Sequence, residues 1–153
     1  MSQLFEVFPR LLNTTQIELI LKLPTIDHHS DEGHIGQEKN LFLPQISHTI
    51  GKALSKYDCL VDERMKLYQL QDAVSAVPLH VDEDFIYKNK LALYSVLVYL
   101  NDSYTGGETV FNGNIVVPHL EKGSVLVFKH DIPHEGRAVK SGTKFVLKTD
   151  LLF

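Results

Sequence analysis

The ten residues Leu91-Ala-Leu-Tyr-Ser-Val-Leu-Val-Tyr-Leu100 constrain the fold more than any other stretch, because both of their alternating sets are largely apolar. Leu91, Leu93, Ser95, Leu97 and Tyr99 form one set; Ala92, Tyr94, Val96, Val98 and Leu100 form the other. Successive side chains of a strand point to opposite faces, so this strand is expected to be buried on both. One face would look into a barrel interior and the other would lie beneath helices. Seven further extended segments accompany it, near 64–70, 78–83, 108–112, 114–118, 123–129, 134–140 and 143–152. Eight short strands in succession favour a sandwich or a barrel. With 153 residues, 44% of them hydrophobic, the chain has the length for one domain with a sizeable core rather than for two.

Ahead of Arg64 the apolar spacing is helical. Thr15-x-x-Glu18 reads as a capping box opening a short helix that ends near Pro24, with Ile17, Ile20, Leu21 and Leu23 as its apolar face. A second helix is expected after Pro44, where Ile46, Ile50, Ala53, Leu54 and Tyr57 recur at helical spacing. Between them, residues 25–40 are polar and read as a loop, whose His28, His29 and His34 are solvated rather than metal-binding. The expected organisation is a helical support over about 14–58 and a β core over about 64–153.

Charge and cysteine content exclude several classes. A formal charge of −4 and a pI near 6.0 give no basic footprint for nucleic acid. Cys59 is the one cysteine and has no internal disulfide partner, and the first ten residues lack the apolar core of a secretory signal. A reducing, cytoplasmic compartment is expected. No apolar run approaches the ~20 residues that span a bilayer.

The chemistry concentrates in Pro78-Leu-His-Val-Asp-Glu83 and Pro133-His-Glu-Gly136. On a strand His80 and Asp82 share a face while Val81 points away, so the two can grip one ion. With His134 as a third ligand they make a two-histidine, one-carboxylate set. Such a set caps one face of an octahedron and leaves three positions open, the arrangement of non-haem Fe(II) oxygenases. His119 and His130 compete for the third position, but only His134 stands ten residues before Lys144. Lys144 and Lys148 alternate with Val146 on an otherwise apolar strand. A buried ammonium there needs an anionic partner, such as the distal carboxylate of a dicarboxylate cosubstrate; otherwise both lysines guard a wet sheet edge.

From about Tyr68 to Phe153 the chain resembles the prolyl-4-hydroxylase-like branch of the Fe(II)/2-oxoglutarate-dependent dioxygenases. The resemblance rests on His80-Val-Asp82, on Val98-Tyr-Leu-Asn-Asp102 followed by Gly106-Gly-Glu-Thr-Val-Phe111, on Lys122-Gly-Ser-Val-Leu-Val-Phe128, and on His134-Glu-Gly with Gly142-Thr-Lys144. It implies a mostly β chain with N-terminal helices, a double-stranded β-helix (jelly-roll) with helices packed on one sheet. It implies Fe(II) held by His80, Asp82 and His134, and 2-oxoglutarate anchored by Lys144. Tyr99 is then a second contact to that carboxylate, and Tyr68 is similar to a tyrosine upstream of the first histidine, though residues 69–79 lack the glycines common there. The implied reaction is hydroxylation of an unactivated C–H bond with dioxygen, and with ascorbate as an optional reductant. The resemblance favours a prolyl residue of a peptide or protein as substrate. A free amino acid or other small metabolite, a cupin-like enzyme that dispenses with 2-oxoglutarate, and a catalytically silent metal-binding barrel stand beside it. The Asn101–Gly107 turn reads as a plain hairpin connection, Glu108 and Thr109 as strand residues, and Arg137 as a solvated loop residue. Residues 83–90, with Phe85, Ile86 and Tyr87, read as a loop at the entrance.

Overall fold

The computed structural model describes residues 3–23, 37–71 and 76–153. His28, His29 and His34 lie outside the described residues. In chain order the elements are β1 (Phe5–Phe8), α1 (Thr14–Leu21), β2 (Gln37–Phe42), α2 (Pro44–Ala53), β3 (Leu60–Val61), β4 (Arg64–Gln71), β5 (Val77–His80), β6 (Phe85–Tyr87) and β7 (Lys90–Tyr99). There follow β8 (Thr105–Gly106), β9 (Thr109–Phe111), β10 (Ile115–Val116), β11 (Val125–Lys129), β12 (His134–Gly136), β13 (Val139–Ser141) and β14 (Thr143–Leu152). All pairings are antiparallel.

A large sheet in the order β1-β11-β7-β14-β4-β2 faces a smaller one, β10-β9-β12-β5. Between the sheets, Phe111 of β9 packs edge-on against Phe128 of β11 at 5.0 Å between ring centroids and stacks on Phe5 of β1 at 5.2 Å. On the outer face of the large sheet, Ile17 and Ile20 of α1 and Ile50 of α2 pack with Val96, Val98 and Leu147. The strand that is apolar on both faces therefore sits between two covered surfaces. Its Val96 and Val98 serve the helical side, and Leu97 and Tyr99 the side between the sheets.

The expected helical support over 14–58 is corrected. There are two short helices among the described residues, and the N-terminal third also supplies strands. β1 pairs with β11 and β2 with β4, so both outer strands of the large sheet come from this region. The edges of β11 and β4 present unpaired backbone groups, which these segments satisfy. Residues 37–40, read as loop, belong to β2. The capping box also lies two residues earlier than expected: the Asn13 side chain accepts from the Gln16 N–H, and the Gln16 side chain accepts from the Asn13 N–H, each at 2.9 Å. Helix α1 ends at Leu21, before Pro24.

Three other boundaries differ from expectation. Residues 85–87 form β6, a hairpin with the start of β7, rather than a free loop. The segment 134–140 divides into β12 and β13, which belong to different sheets. The segment 78–83 stops at His80: Pro133, the residue before β12, turns its carbonyl to Asn112, and Asp82 instead bonds the carbonyl of His130. Among the described residues, no helix is long and apolar enough to cross a membrane.

One close approach ties the turn before β11 to the segment before α1. Gly123 has φ +86, and a Cβ there would lie 2.2 Å from the carbonyl oxygen of Leu12. Gly123→Ala combines left-handed strain with an overlap against backbone. It should lower the stability by on the order of 2–4 kcal/mol, read as a reduced denaturation midpoint with an unchanged slope.

Candidate metal centre

The two histidines meet across the small sheet. His134, first residue of β12, is the register partner of His80, last residue of β5, and their rings lie 4.3 Å apart. His134 is buried against Phe128, its ring centroid 4.6 Å away, whereas His80 is the more exposed of the pair. Each ring is oriented by the backbone two residues upstream: Nδ1 of His80 donates to the Pro78 carbonyl at 2.7 Å, and Nδ1 of His134 to the Ile132 carbonyl at 3.0 Å. A carbonyl can only accept, so Nδ1 carries the proton in both rings. The Nε2 lone pairs are thereby left for a metal.

Asp82 lies two residues past the end of β5 and is held by other means. Its backbone N–H donates to the carbonyl of His130 at 3.0 Å, and its Oδ2 accepts from Ser95 Oγ of β7 at 2.5 Å. Oδ1 is 3.4 Å from His80 Nε2 and 3.0 Å from Lys148 Nζ. One ligating atom from each of His80, Asp82 and His134 lies within 4.8 Å of the others, so these three can hold one metal ion.

Electrostatics set the three apart. Burial pushes the Asp82 carboxyl up, but the His80 contact, the Lys148 ammonium and the Ser95 bond outweigh it and hold the group well below the usual carboxylate range. The bond to Asp82 raises His80, while burial lowers His134. A carboxylate that stays ionised and a histidine that stays neutral suit a metal site.

The cavity beside these ligands has a volume of about 430 Å³. Its floor consists of cross-strand pairs of β4 and β14: Leu70 with Lys144, Tyr68 with Val146, and Lys66 with Lys148. Lys144 closes the inner end. It is 4% exposed, donates to the Gly107 carbonyl at 2.7 Å, and its ammonium stands 5.1 Å from the centre of the Tyr99 ring. Among the described residues it has no salt-bridge partner, and burial lowers its pKa to about 8. Gly107, with φ +68, holds its carbonyl in place with no side chain to crowd the lysine, so the Gly106-Gly107 turn does more than connect two strands.

The remaining sequence candidates fall elsewhere. The Tyr99 hydroxyl is bonded to Thr109 Oγ1 at 2.8 Å and its ring stands against the Lys144 ammonium, so Tyr99 lies behind two residues that line the cavity rather than lining it itself. Tyr68 lines the cavity directly. His119 bonds the Asp102 carbonyl and lies tilted against the Tyr104 ring, away from the ligands. His130 is fully buried between two carboxylates, Asp84 at 3.0 Å and Asp150 at 2.9 Å. Burial alone would lower its pKa; Asp150 and Asp84 reverse this and raise it. His130 thus supports Asp82 through its backbone rather than offering a ring nitrogen. Ser95 was not foreseen, although it is a lone hydroxyl in an otherwise apolar set of β7.

No protein-family model matches the sequence, and no curated protein matches it. Solved structures do. A viral collagen prolyl hydroxylase from Paramecium Bursaria Chlorella virus-1, in complex with 2-oxoglutarate, is 17% identical, with 99% of this chain and 96% of that chain covered and a TM-score of 0.72. A prolyl hydroxylase from Trichoplax adhaerens, bound to a hypoxia inducible factor peptide fragment, is 14% identical over 99% of this chain and 84% of that one, with a TM-score of 0.71. The non-heme alpha-ketoglutarate-dependent carbocyclase SnoK of nogalamycin biosynthesis is 14% identical over 98% of this chain and 79% of that one, with a TM-score of 0.67. At these identities the likeness establishes the fold, the jelly-roll shared by 2-oxoglutarate oxygenases.

Proposed function

We propose that this chain is an Fe(II)- and 2-oxoglutarate-dependent dioxygenase that hydroxylates an unactivated C–H bond. One observation carries the reading: convergent ligating atoms of His80, Asp82 and His134 share a cavity with a buried ammonium, Lys144, that has no salt-bridge partner among the described residues and feels only the more distant charge of Glu108. A dicarboxylate satisfies both ends at once. Its oxoacid end can chelate a metal held by the triad, and its far carboxylate can complete the donors of Lys144. When bound, ferrous iron and 2-oxoglutarate supply the dioxygen-dependent oxidation, with release of succinate and carbon dioxide.

The chain's own residues fix geometry and water access. The Pro78 and Ile132 carbonyls aim the Nε2 atoms, Ser95 fixes one Asp82 oxygen, and Leu70, Val146 and Leu97 keep the Lys144 end of the cavity apolar. For the primary substrate we favour a prolyl residue of a peptide or protein, supported by the likeness to the Trichoplax prolyl hydroxylase, which binds a peptide. A small metabolite is the second reading, supported by a nearly as complete overlay on SnoK. Ascorbate would serve as an optional reductant.

The test is anaerobic titration of the Fe(II)-loaded protein with 2-oxoglutarate. A saturable visible charge-transfer band, absent in His134→Ala, is expected. Iron demonstrably bound with no band would leave a metal-binding barrel and defeat the dioxygenase reading.

A further inference from the structure

The carboxylate that a metal would take is also held by a lysine. Oδ1 of Asp82 faces His80 Nε2 and Lys148 Nζ, while Oδ2 accepts from Ser95 and faces His134 Nε2 at 3.7 Å. A divalent ion held by this carboxylate would compete for the charge that holds Lys148 and repel the ammonium beside it. Lys148 must then turn away, and the space open to it is a second cleft of about 630 Å³, which it lines together with Lys66, Tyr68 and Asp82.

Lys66 and Lys148 are directly opposed across β4 and β14. Like charges in that position are destabilising unless each is answered. Glu38 of β2 answers Lys66 at 3.0 Å, and Asp82 answers Lys148. The other carboxylates lining the cleft are engaged: Asp62 with Arg64 at 2.7 Å and Asp150 with His130 at 2.9 Å, which leaves only the exposed Glu83. Lys144 is no substitute, since it is buried at the far end of the cavity on the Gly107 carbonyl.

We propose that Lys148, with Lys66 beside it, forms an anion-binding position at the mouth of the cavity, which takes a carboxylate or phosphate of the primary substrate once a metal holds Asp82. The proposal rests on the metal-dependent reading above and narrows it: the substrate carries a negative group close to the carbon that reacts. A free α-carboxylate or an acidic side chain meets this requirement, and a phosphate ester does so with greater charge.

The experiment uses the whole chain with 13C-labelled lysine, loaded with redox-silent zinc(II). The Lys148 ε-methylene resonance is identified by its loss in K148Q. Zinc should shift it as the contact with Asp82 breaks, and acetate added with 2-oxoglutarate present should shift it again, saturably, while acetamide should not. Inorganic phosphate run in parallel distinguishes the two anion sources by which binds more tightly. In K148Q, with Lys66 as the reporter, acetate affinity should fall at least about tenfold, the loss expected for one charge-assisted bond. A Lys148 resonance that moves with neither zinc nor acetate overturns the proposal. So does one that moves with 2-oxoglutarate and then ignores acetate, because the ammonium would belong to the cosubstrate. If 2-oxoglutarate moves neither Lys144 nor Lys148, the dioxygenase reading fails, while the acetate titration still decides the anion position.

Discussion

Asp82→Ala is expected to abolish 2-oxoglutarate decarboxylation and to weaken metal binding beyond what loss of a supporting contact would do. The first part follows from the position of Asp82 as the only carboxylate in the three-residue group that can hold an ion. The second separates a ligand from a helper: removing a partner that merely orients a ligand costs about 10–100-fold in metal affinity. Loss of Asp82 itself should exceed that range, and Ser95→Ala should fall within it. Titration with cobalt(II), read by its visible spectrum, measures both. Full turnover in Asp82→Ala would sink the ligand assignment. The substitution has a second signature in acid. Because the folded protein holds this carboxyl below its ordinary value near 3.8, it binds fewer protons than the unfolded chain as the pH falls through that value. The stabilisation is complete above the ordinary value and is lost on further acidification. Asp82→Ala should therefore show a shallower acid limb in its unfolding profile than the parent.

The parts of this molecule that were legible in its sequence are those whose side chains encode their own surroundings. β7 announced burial on both faces because two alternating sets are apolar. β14 left Lys144 and Lys148 as either an anion anchor or guards of a wet edge; the structure pairs β14 on both sides and places Lys144, Val146 and Lys148 at the cavity and Phe145 and Leu147 among the helices. β1 and β2 carry no such signal. They are strands because β11 and β4 have edges to fill, and strand preference depends on the neighbour as much as on the residue. Their existence is thus a property of the sheet.

The same division runs through the site. His80, Asp82 and His134 were readable because a metal needs particular donors and the local motifs supply them. What aims those donors was not, since it is backbone: the carbonyls of Pro78, Ile132 and His130 have no residue-type signature. Ser95 could have been noticed as a hydroxyl in an apolar row, but its partner is thirteen residues away and outside any strand. His130 looked like a rival ligand and is instead clamped by Asp84 and Asp150, two carboxylates that only the fold brings to it. Gly107 read as turn chemistry, and its carbonyl proves to be the one hydrogen-bond acceptor found for the buried lysine among the described residues.

Lys144→Met should separate binding from folding more sharply than any other substitution. An ammonium buried with one neutral acceptor is a burden on the folded state, and methionine of similar length removes the charge while filling the space. The melting temperature of Lys144→Met should therefore hold or rise. Affinity for 2-oxoglutarate should move the other way. Charge-assisted bonds contribute about 1.5–3 kcal/mol, which corresponds to a weakening of roughly 10- to 150-fold. The parent protein should show the same dependence through pH. Burial lowers the Lys144 pKa to about 8, so the ammonium is present below that value and is lost above it. The 2-oxoglutarate concentration required for half-saturation should rise as the pH passes upward through about 8, and Lys144→Met should lack that rise. An unchanged requirement in Lys144→Met would place the far carboxylate elsewhere, and Lys148 would be the next lysine to test. A lost requirement accompanied by a lost fold would make Lys144 structural. Only a stable variant with weakened and pH-independent affinity identifies the buried ammonium as the anchor.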